Sequence, residues 1–91
     1  MSNKTFSVLY SVDHKSKTFR STARDLNKSK HWVSWSYQAG VHTYLDKSQS
    51  NQAQYVLDAD GLTKREAERY QWAKNALLES LGYSRAVATL K

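Results

Sequence analysis

Residues 5–12 alternate strictly between polar and apolar side chains, which is the period of a β-strand with one buried face. The apolar positions are Phe6, Val8, Tyr10 and Val12. A polar, turn-like segment follows at 13–17, and residues 18–21 have the composition of a return strand. The N-terminal part of the chain therefore predicts an antiparallel hairpin, followed by a polar connection over 22–30.

A longer alternation covers residues 31–46, with its apolar members at Val33, Trp35, Tyr37, Val41 and Leu45. Gly40 interrupts it, so we expect two strands, at 31–38 and 41–46, or one strand bent at a bulge, with the apolar positions buried on one face. The polar segment 47–54 predicts an exposed loop, residues 55–57 a short strand, and the Asp-Ala-Asp-Gly sequence at 58–61 a turn.

The clearest element is a helix over about 63–81. Thr63 and Glu66 have the spacing of a capping box, and Gly82 is a helix stop signal. Lys74 interrupts the apolar stripe, so we expect its stem to follow the edge of the core and its amine to reach solvent. The stripe expected to face the core comprises Ala67, Tyr70, Ala73, Leu77, Leu78 and Leu81.

These elements predict an α+β fold in a single domain over residues 1–91. An antiparallel sheet of three to five strands is covered on one face by the main C-terminal helix. After Gly82, Ser84 can cap a short final helix over 85–90, with a terminal strand as the alternative.

The chain has no cysteine, no apolar run approaching 18 residues and no signal-peptide pattern. We therefore expect a cytoplasmic protein without disulfides or membrane contact. We also expect no cofactor, because the sequence lacks a phosphate-binding glycine loop, and no metal site.

The formal net charge of +6 favours a polyanionic partner, RNA or DNA, because lysine and arginine side chains that neutralise phosphates release condensed counterions. The basic excess lies in 1–30 and 61–91, on either side of a nearly neutral middle segment. The alternative is that the charge only keeps a small domain soluble.

Basic residues lie close to a tryptophan at two places in the sequence. The outer side of the predicted helix comprises Arg65, Arg69, Trp72, Ala76 and Tyr83, with Lys64 at the helix start. Lys28, Lys30 and Trp32 lie close together before the long alternation. Stacking of a nucleobase on an exposed aromatic ring contributes about 1–3 kcal/mol. The alternative for each tryptophan is a structural role in a small satellite core under the 47–54 loop.

Two stretches resemble the double-stranded-RNA-binding domain. Residues 13–19, Asp-His-Lys-Ser-Lys-Thr-Phe, are similar to its loop between the first two strands, and residues 63–78 are similar to the basic start of its C-terminal helix. The resemblance implies phosphate contacts by Lys64 and Arg65 and minor-groove contacts by His14 and Lys15, with Lys17 in the same loop. The chain leaves no room for the family's first helix, and about fifty residues separate His14 from Lys64.

Two shorter resemblances keep other nucleic-acid binders open. The Thr-Lys-Arg-Glu-Ala-Glu start of the helix is similar to the helix that follows the arm-binding domain of phage-type integrases. Residues 81–87 are similar to the turn and recognition-helix start of helix-turn-helix repressors.

The function predicted from the sequence is nucleic-acid binding, RNA preferred over DNA, through phosphate contacts and aromatic stacking. The alternative is a phage- or mobile-element-type accessory or inhibitor protein that binds a host protein, such as a toxin or nuclease. An enzyme is not expected, and RNase-like catalysis by His14, His31 or His42 ranks third. The apolar residues Trp72, Ala76 and Tyr83 also suggest a homodimer that covers them.

Overall fold

The computed structural model describes residues 4–28, 31–47 and 53–86. The elements, in chain order, are β1 (Phe6–Asp13), β2 (Thr18–Asp25), β3 (Trp32–Gln38), β4 (Val41–Asp46), β5 (Ala53–Leu62), α1 (Lys64–Ser80) and β6 (Ser84–Arg85). They form one sheet in the order β3-β4-β5-β1-β2-β6. Every pairing is antiparallel except that of β2 with β6. The α+β prediction is confirmed, and the two-residue β6 brings the number of strands among the described residues to six.

Both predicted hairpins form, and local chemistry fixes each turn. Ala39 and Gly40 both have positive φ, 53° and 79°, which is the two-residue turn that matches the twist of paired strands. In the first hairpin the Asp13 carboxylate accepts the backbone N–H groups of Lys15 and Ser16. Hydrogen bonds from the Ser16 and Lys15 backbones lower the pKa of Asp13, since they favour its charged form.

Two strands are longer than the sequence predicts. β2 continues to Asp25 through the segment expected to be a connection, and β5 includes residues 58–61, where a turn was expected. Pairing with β1 explains why both strands are extended. β2 pairs with β1 in continuous register, and β5 pairs with β1 with two register shifts. Gly61, with φ of 68°, permits the bent backbone at the end of β5.

The expected burial of one face along 31–46 is wrong. Leu45 is buried, but most of the predicted apolar face is exposed: Val33, Trp35, Tyr37 and Val41. Two features explain this result. A register irregularity between Ser34 and Ser36 interrupts the alternation, and α1 packs against β1, β2, β5 and β6, so that it does not cover β3 or β4.

Both ends of α1 form as predicted. Thr63 accepts the backbone N–H of Glu66, whose carboxylate accepts the backbone N–H of Thr63. At the other end, the N–H groups of Gly82 and Tyr83 donate to the carbonyls of Glu79 and Leu78. This is a Schellman motif, and Gly82 supplies its left-handed residue with φ of 94°.

The side of α1 that faces the sheet carries several polar side chains. Lys74 Nζ lies 2.6 Å from an Asp58 carboxylate oxygen, and the Tyr70 hydroxyl donates to the same oxygen at 2.6 Å. The Tyr10 hydroxyl donates to Asn75 Oδ1 at 2.7 Å. The amide of Gln71 donates to the Ser21 hydroxyl at 3.0 Å. These contacts determine which side of α1 meets the sheet.

The predicted inner stripe of α1 is therefore only partly correct. Ala67 is buried, and Tyr70 and Leu78 pack against the core. Leu77 and Leu81 are 57% and 61% exposed, and Ala73 is exposed as well. The expectation for Lys74 is also wrong, because its amine pairs with Asp58.

The sheet is covered on both faces around β1. Toward α1, the core contains Val8, Tyr10, Phe19 and Ala67. On the other face of β1, Leu9 is completely buried and pairs with Leu57 of β5. The Trp32 ring packs edge-to-face on buried Tyr55, with 5.0 Å between ring centroids. The β3 end of the sheet therefore contributes to the second packed face.

Replacement of two leucines by alanine tests these placements. We expect Leu9→Ala to lower the free energy of unfolding by about 2–5 kcal/mol, because it removes a fully buried side chain. Leu77→Ala, at a site that the sequence places in the core, should change it by less than about 0.5 kcal/mol. Urea denaturation measures both. A loss for Leu77→Ala as large as that for Leu9→Ala would contradict the observed orientation of α1.

Alkaline pH tests the contact of α1 with β5. Burial, together with the hydrogen bond to Asp58 and its charge, raises the pKa of Tyr70 to about 12. Since this pKa is above the unfolded value of about 10, the associated stability is present below pH ~10 and is lost as pH rises toward 12. Urea denaturation of Tyr70→Phe should show a smaller fall in stability over this range. An equal fall in both proteins would contradict the role of Tyr70.

Candidate nucleic-acid interface

The structure places the predicted binding residues on three separate surfaces. We call the exposed group Lys64, Arg65, Arg69 and Trp72 the helix surface, and His14, Lys15, Lys17 and Tyr83 the hairpin cluster. Lys28 and Trp32 lie in a furrow on the sheet. Lys30 lies outside the described residues.

The furrow follows β2 along its length. It consists of three adjoining hollows, of which the first two share Phe19, Arg20 and Ala86 and the last two share Arg24, Trp32 and Asp46. It extends from Asp13 at the first hairpin to Lys28 and His31 beyond the end of β2. The central hollow has a volume of about 400 Å³.

Strand alternation gives the furrow its basic wall. In β2, Phe19, Ser21 and Ala23 alternate with Arg20, Thr22 and Arg24. Phe19 and Ala23 belong to the core under α1, so the two arginines project to the other face of the sheet. Lys28 continues the basic wall after β2 ends. Arg24 and Lys28 are both exposed.

The opposite wall is aromatic. Trp32 of β3 and Tyr55 of β5 line the same central hollow as Arg20 and Arg24. Trp32 is half-buried, so the expectation that it stands on the outer surface of the sheet is corrected. Its contact with Tyr55 is the cause, and the accessible part of its ring lies near Arg24 and Lys28.

Four basic side chains line the furrow against three carboxylates, those of Asp13, Asp25 and Asp46. The basic residues are Arg20, Arg24, Lys28 and Arg85. Asp25 accepts hydrogen bonds from the Thr5 hydroxyl and the Asn27 backbone, and Arg85 pairs with Glu79 at 3.0 Å. With Glu79 counted, the carboxylates balance these cations in formal charge, so the attraction of the furrow for phosphates comes from the exposed Arg24 and Lys28 at one end of it.

The helix surface differs from the furrow in shape and in charge. Trp72 is 75% exposed, and Glu68 is exposed in the same turns as Arg65 and Arg69. The C-terminal half of α1 exposes apolar side chains instead: Ala73, Ala76, Leu77 and Leu81. This surface is a convex ridge with mixed charge at one end and apolar character at the other.

The hairpin cluster lies beside the C-terminal end of α1. His14 Nδ1 is 2.7 Å from the Tyr83 hydroxyl, and Lys17 Nζ is 5.1 Å from the centroid of the same ring. Tyr83 is half-buried against the core, so its expected place on the outer helix stripe is wrong. Lys64 lies at the other end of α1, about 25 Å away along the helix axis.

The contact residues that the resemblance to the double-stranded-RNA-binding domain implies therefore lie at opposite ends of α1. His14 lies near its end and Lys64 and Arg65 at its start. The resemblance stays a prediction, and the structure does not join the two stretches into one continuous site.

His14 and His42 have different hydrogen-bond partners. His42 Nε2 is 2.7 Å from the Ser34 hydroxyl, and its ring stacks on Tyr44 at 4.4 Å, whereas His14 contacts Tyr83. In the described part of the chain, no carboxylate hydrogen-bonds to His42 to orient it as a general base. The described residues also contain no group of three or more side chains suited to hold a metal ion.

Sequence reasoning missed Arg20, Arg24 and Tyr55 as furrow residues. A signal for the arginines was present, because the alternation that begins at Phe19 continues to Ala23 and places both arginines on one face. No local signal identifies Tyr55, since its proximity to Trp32 depends on the order of strands in the sheet.

Comparisons with known proteins assign no family to the chain. No family model matches the chain, and searches of known proteins and of solved structures find no significant match. Among the described residues, no helix has the length and apolar character needed to cross a membrane.

Proposed function

We propose that this chain is a small nucleic-acid-binding protein that binds single-stranded RNA in the furrow along β2. The observation that carries the proposal is that a basic wall and an aromatic wall face each other in one concave site. Arg20, Arg24 and Lys28 contact phosphates, and Trp32 stacks on a base.

The dimensions of β2 suit an extended polyanion. Arg20 and Arg24 are four residues apart on one strand, which corresponds to about 13 Å, so they reach different phosphates. The eight residues of β2 span about 26 Å, enough for several nucleotides. A compact anion would contact only one of these arginines.

Recognition of a single strand follows from the position of Trp32. Its ring lies in the furrow, half-buried against Tyr55, so a base must leave its own stack to reach it. Unpaired bases do this readily, whereas bases within a duplex remain stacked and paired. This accessibility favours single-stranded segments.

A preference for RNA over DNA follows from the polar groups in the central hollow. Ser21, Thr22 and Asn75 line it together with Arg20 and Trp32. Thr22 lies on the same face of β2 as Arg20, whereas Ser21 and Asn75 lie on the α1 side and accept hydrogen bonds from Gln71 and Tyr10. Hydroxyl and amide groups can donate to or accept from a ribose 2′-hydroxyl, which DNA lacks.

Charge reversal in the furrow tests the proposal. We expect wild type to bind a fluorescent oligouridylate with a plot of log K against log salt that has a slope of about −2, as three phosphate contacts predict. Arg24→Glu with Lys28→Glu should abolish binding at low salt, because two cationic contacts become repulsive. Fluorescence anisotropy over a salt series measures both effects, and circular dichroism confirms folding.

The matched control is Arg65→Glu with Arg69→Glu on the helix surface. It removes the same amount of positive charge, so a general loss of attraction would weaken both double variants equally. We expect the control to bind within about threefold of wild type at moderate salt, where distant exposed charges are screened. Loss of binding in the control alone, or binding that does not depend on salt, would contradict the furrow site.

The exposed apolar half of α1 favours a second candidate function, the binding of a host protein. Trp72, Leu77 and Leu81 are each more than half exposed, and exposed tryptophan is a preferred anchor of protein interfaces. Failure of the wild-type chain to bind any RNA or DNA probe, together with a partner protein that stays bound after nuclease treatment and is lost in Trp72→Ala, would support this function instead.

A further inference from the structure

A buried carboxylate lies inside the RNA furrow. Asp46 of β4 is 6% exposed, and it lines both the central hollow and the hollow at the Lys28 end, as Trp32 does. The Asp46 carboxylate repels phosphates, because both groups are negatively charged. If RNA binds here, Asp46 therefore faces another part of the nucleotide.

Strand pairing holds Asp46 beside Trp32. The two residues lie directly opposite each other on β4 and β3, so their side chains project to the same face of the sheet. The Lys47 N–H donates to the His31 carbonyl at 2.8 Å, which makes residues 31 and 47 the hydrogen-bonded pair. Trp32 and Asp46 are then a non-hydrogen-bonded pair, whose Cβ atoms are about 4.5–5.5 Å apart. The ring and the carboxylate therefore lie side by side.

The same hollow contains groups that suit the other parts of a nucleotide. Arg24 and Lys28 line it and are exposed, so they are available to phosphates. Trp32 supplies a ring for stacking of a base. The hollow has a volume of about 440 Å³, within the range of small-ligand sites. Cations, an aromatic ring and a carboxylate thus line one hollow.

We propose that Asp46 makes this hollow a guanine site. A guanine of the bound RNA stacks on Trp32 and donates its N1–H and one N2–H to the two oxygens of the Asp46 carboxylate. The inference rests on the proposed binding of RNA in the furrow and adds to it the base that the site prefers.

The chemistry of the base edges selects guanine. A carboxylate accepts hydrogen bonds and donates none, so it recognises donors. Guanine has two adjacent donors on its Watson–Crick edge, N1–H and the 2-amino group. Adenine and cytosine each place a ring nitrogen acceptor beside their amino group, and the N3–H of uracil lies between two carbonyl oxygens. Each of these three bases therefore sets at least one lone pair against the carboxylate.

The environment of Asp46 is compatible with this role. Asp46 has an interaction within the chain, and the two oxygens of a carboxylate offer about four acceptor sites, so further hydrogen bonds can form beside it. Hydrogen bonds to an ionised acceptor are stronger than those between neutral groups, and burial reduces the competition from water. A small number of contacts is therefore enough to discriminate between bases.

Three RNA probes test the site on the wild-type chain. They are fluorescent octauridylate and the same RNA with one central uridine replaced by guanosine or by inosine, which keeps the N1–H of guanosine and lacks its 2-amino group. By fluorescence anisotropy, we expect the guanosine probe to bind about tenfold more tightly than the inosine probe, because inosine loses one hydrogen bond to a charged group. Octauridylate should bind no more tightly than the inosine probe. Equal binding of all three would overturn the guanine site and leave the furrow standing, whereas binding of none would overturn both proposals.

Asp46→Asn tests the carboxylate itself, because it keeps the size of the side chain and replaces one acceptor by a donor. It should bind the guanosine and inosine probes within about twofold of each other, since one oxygen cannot accept both donors. Asp60→Asn is the matched control, because it makes the same change at an exposed carboxylate of β5 outside the three hollows.

The control should keep the tenfold difference between the guanosine and inosine probes, and circular dichroism checks that both variants are folded. If Asp46→Asn does not fold, the comparison of the guanosine and inosine probes on wild type decides. A preference for guanosine that persists in folded Asp46→Asn, or that disappears equally in Asp60→Asn, would overturn the role of Asp46.

Discussion

The orientation of the helix depends on one carboxylate. Asp58 of β5 receives both the Tyr70 hydroxyl and the Lys74 amine, which lie four residues apart on α1. Partial burial makes the pair sensitive to loss of either partner, because an unpaired charge near the core is costly. Together with the hydrogen bonds from Tyr10 to Asn75 and from Gln71 to Ser21, this contact selects the polar side of α1 for the sheet.

The position of the helix determines which surfaces are left for function. Because α1 packs against β1, β2 and β5, it fixes Phe19 and Ala23 in the core and sends Arg20 and Arg24 to the other face of the sheet. It also leaves β3 and β4 without a helical cover. The furrow and the exposed side chains of β3 are both consequences of where α1 is attached.

The sequence predicted the features that local chemistry controls. The capping box at Thr63, the stop at Gly82 and the turn at Gly40 each need only nearby residues, and all three are confirmed. Features that depend on distant partners were missed. Residues 58–61 have the composition of a turn, but pairing with β1 makes them a strand. The apolar residues of α1 mark its buried side only in part, because Ala67 and Leu78 contact the core whereas Leu77 and Leu81 are exposed.

The candidate site shows the same difference between features set by nearby residues and features set by distant ones. Lys28 and Trp32 were identified from their proximity in sequence, and they do line one hollow. The other predicted residues lie on the helix surface and in the hairpin cluster, since sequence patterns do not show which faces the fold brings together. Arg20 and Tyr55 belong to the furrow only because the strand order places β2 and β5 on either side of β1.

The three tryptophans provide the most direct test of the central claim, because each reports on a different surface. Trp32 lies in the furrow, Trp35 is exposed on β3 and Trp72 lies on the helix surface. The measurement is a titration of ¹⁵N-labelled protein with a short oligouridylate, followed through the three indole N–H signals. The furrow site predicts that the Trp32 signal shifts at low salt while the Trp72 signal does not. A shift of Trp72 with Trp32 unchanged, or no shift at all, would contradict it.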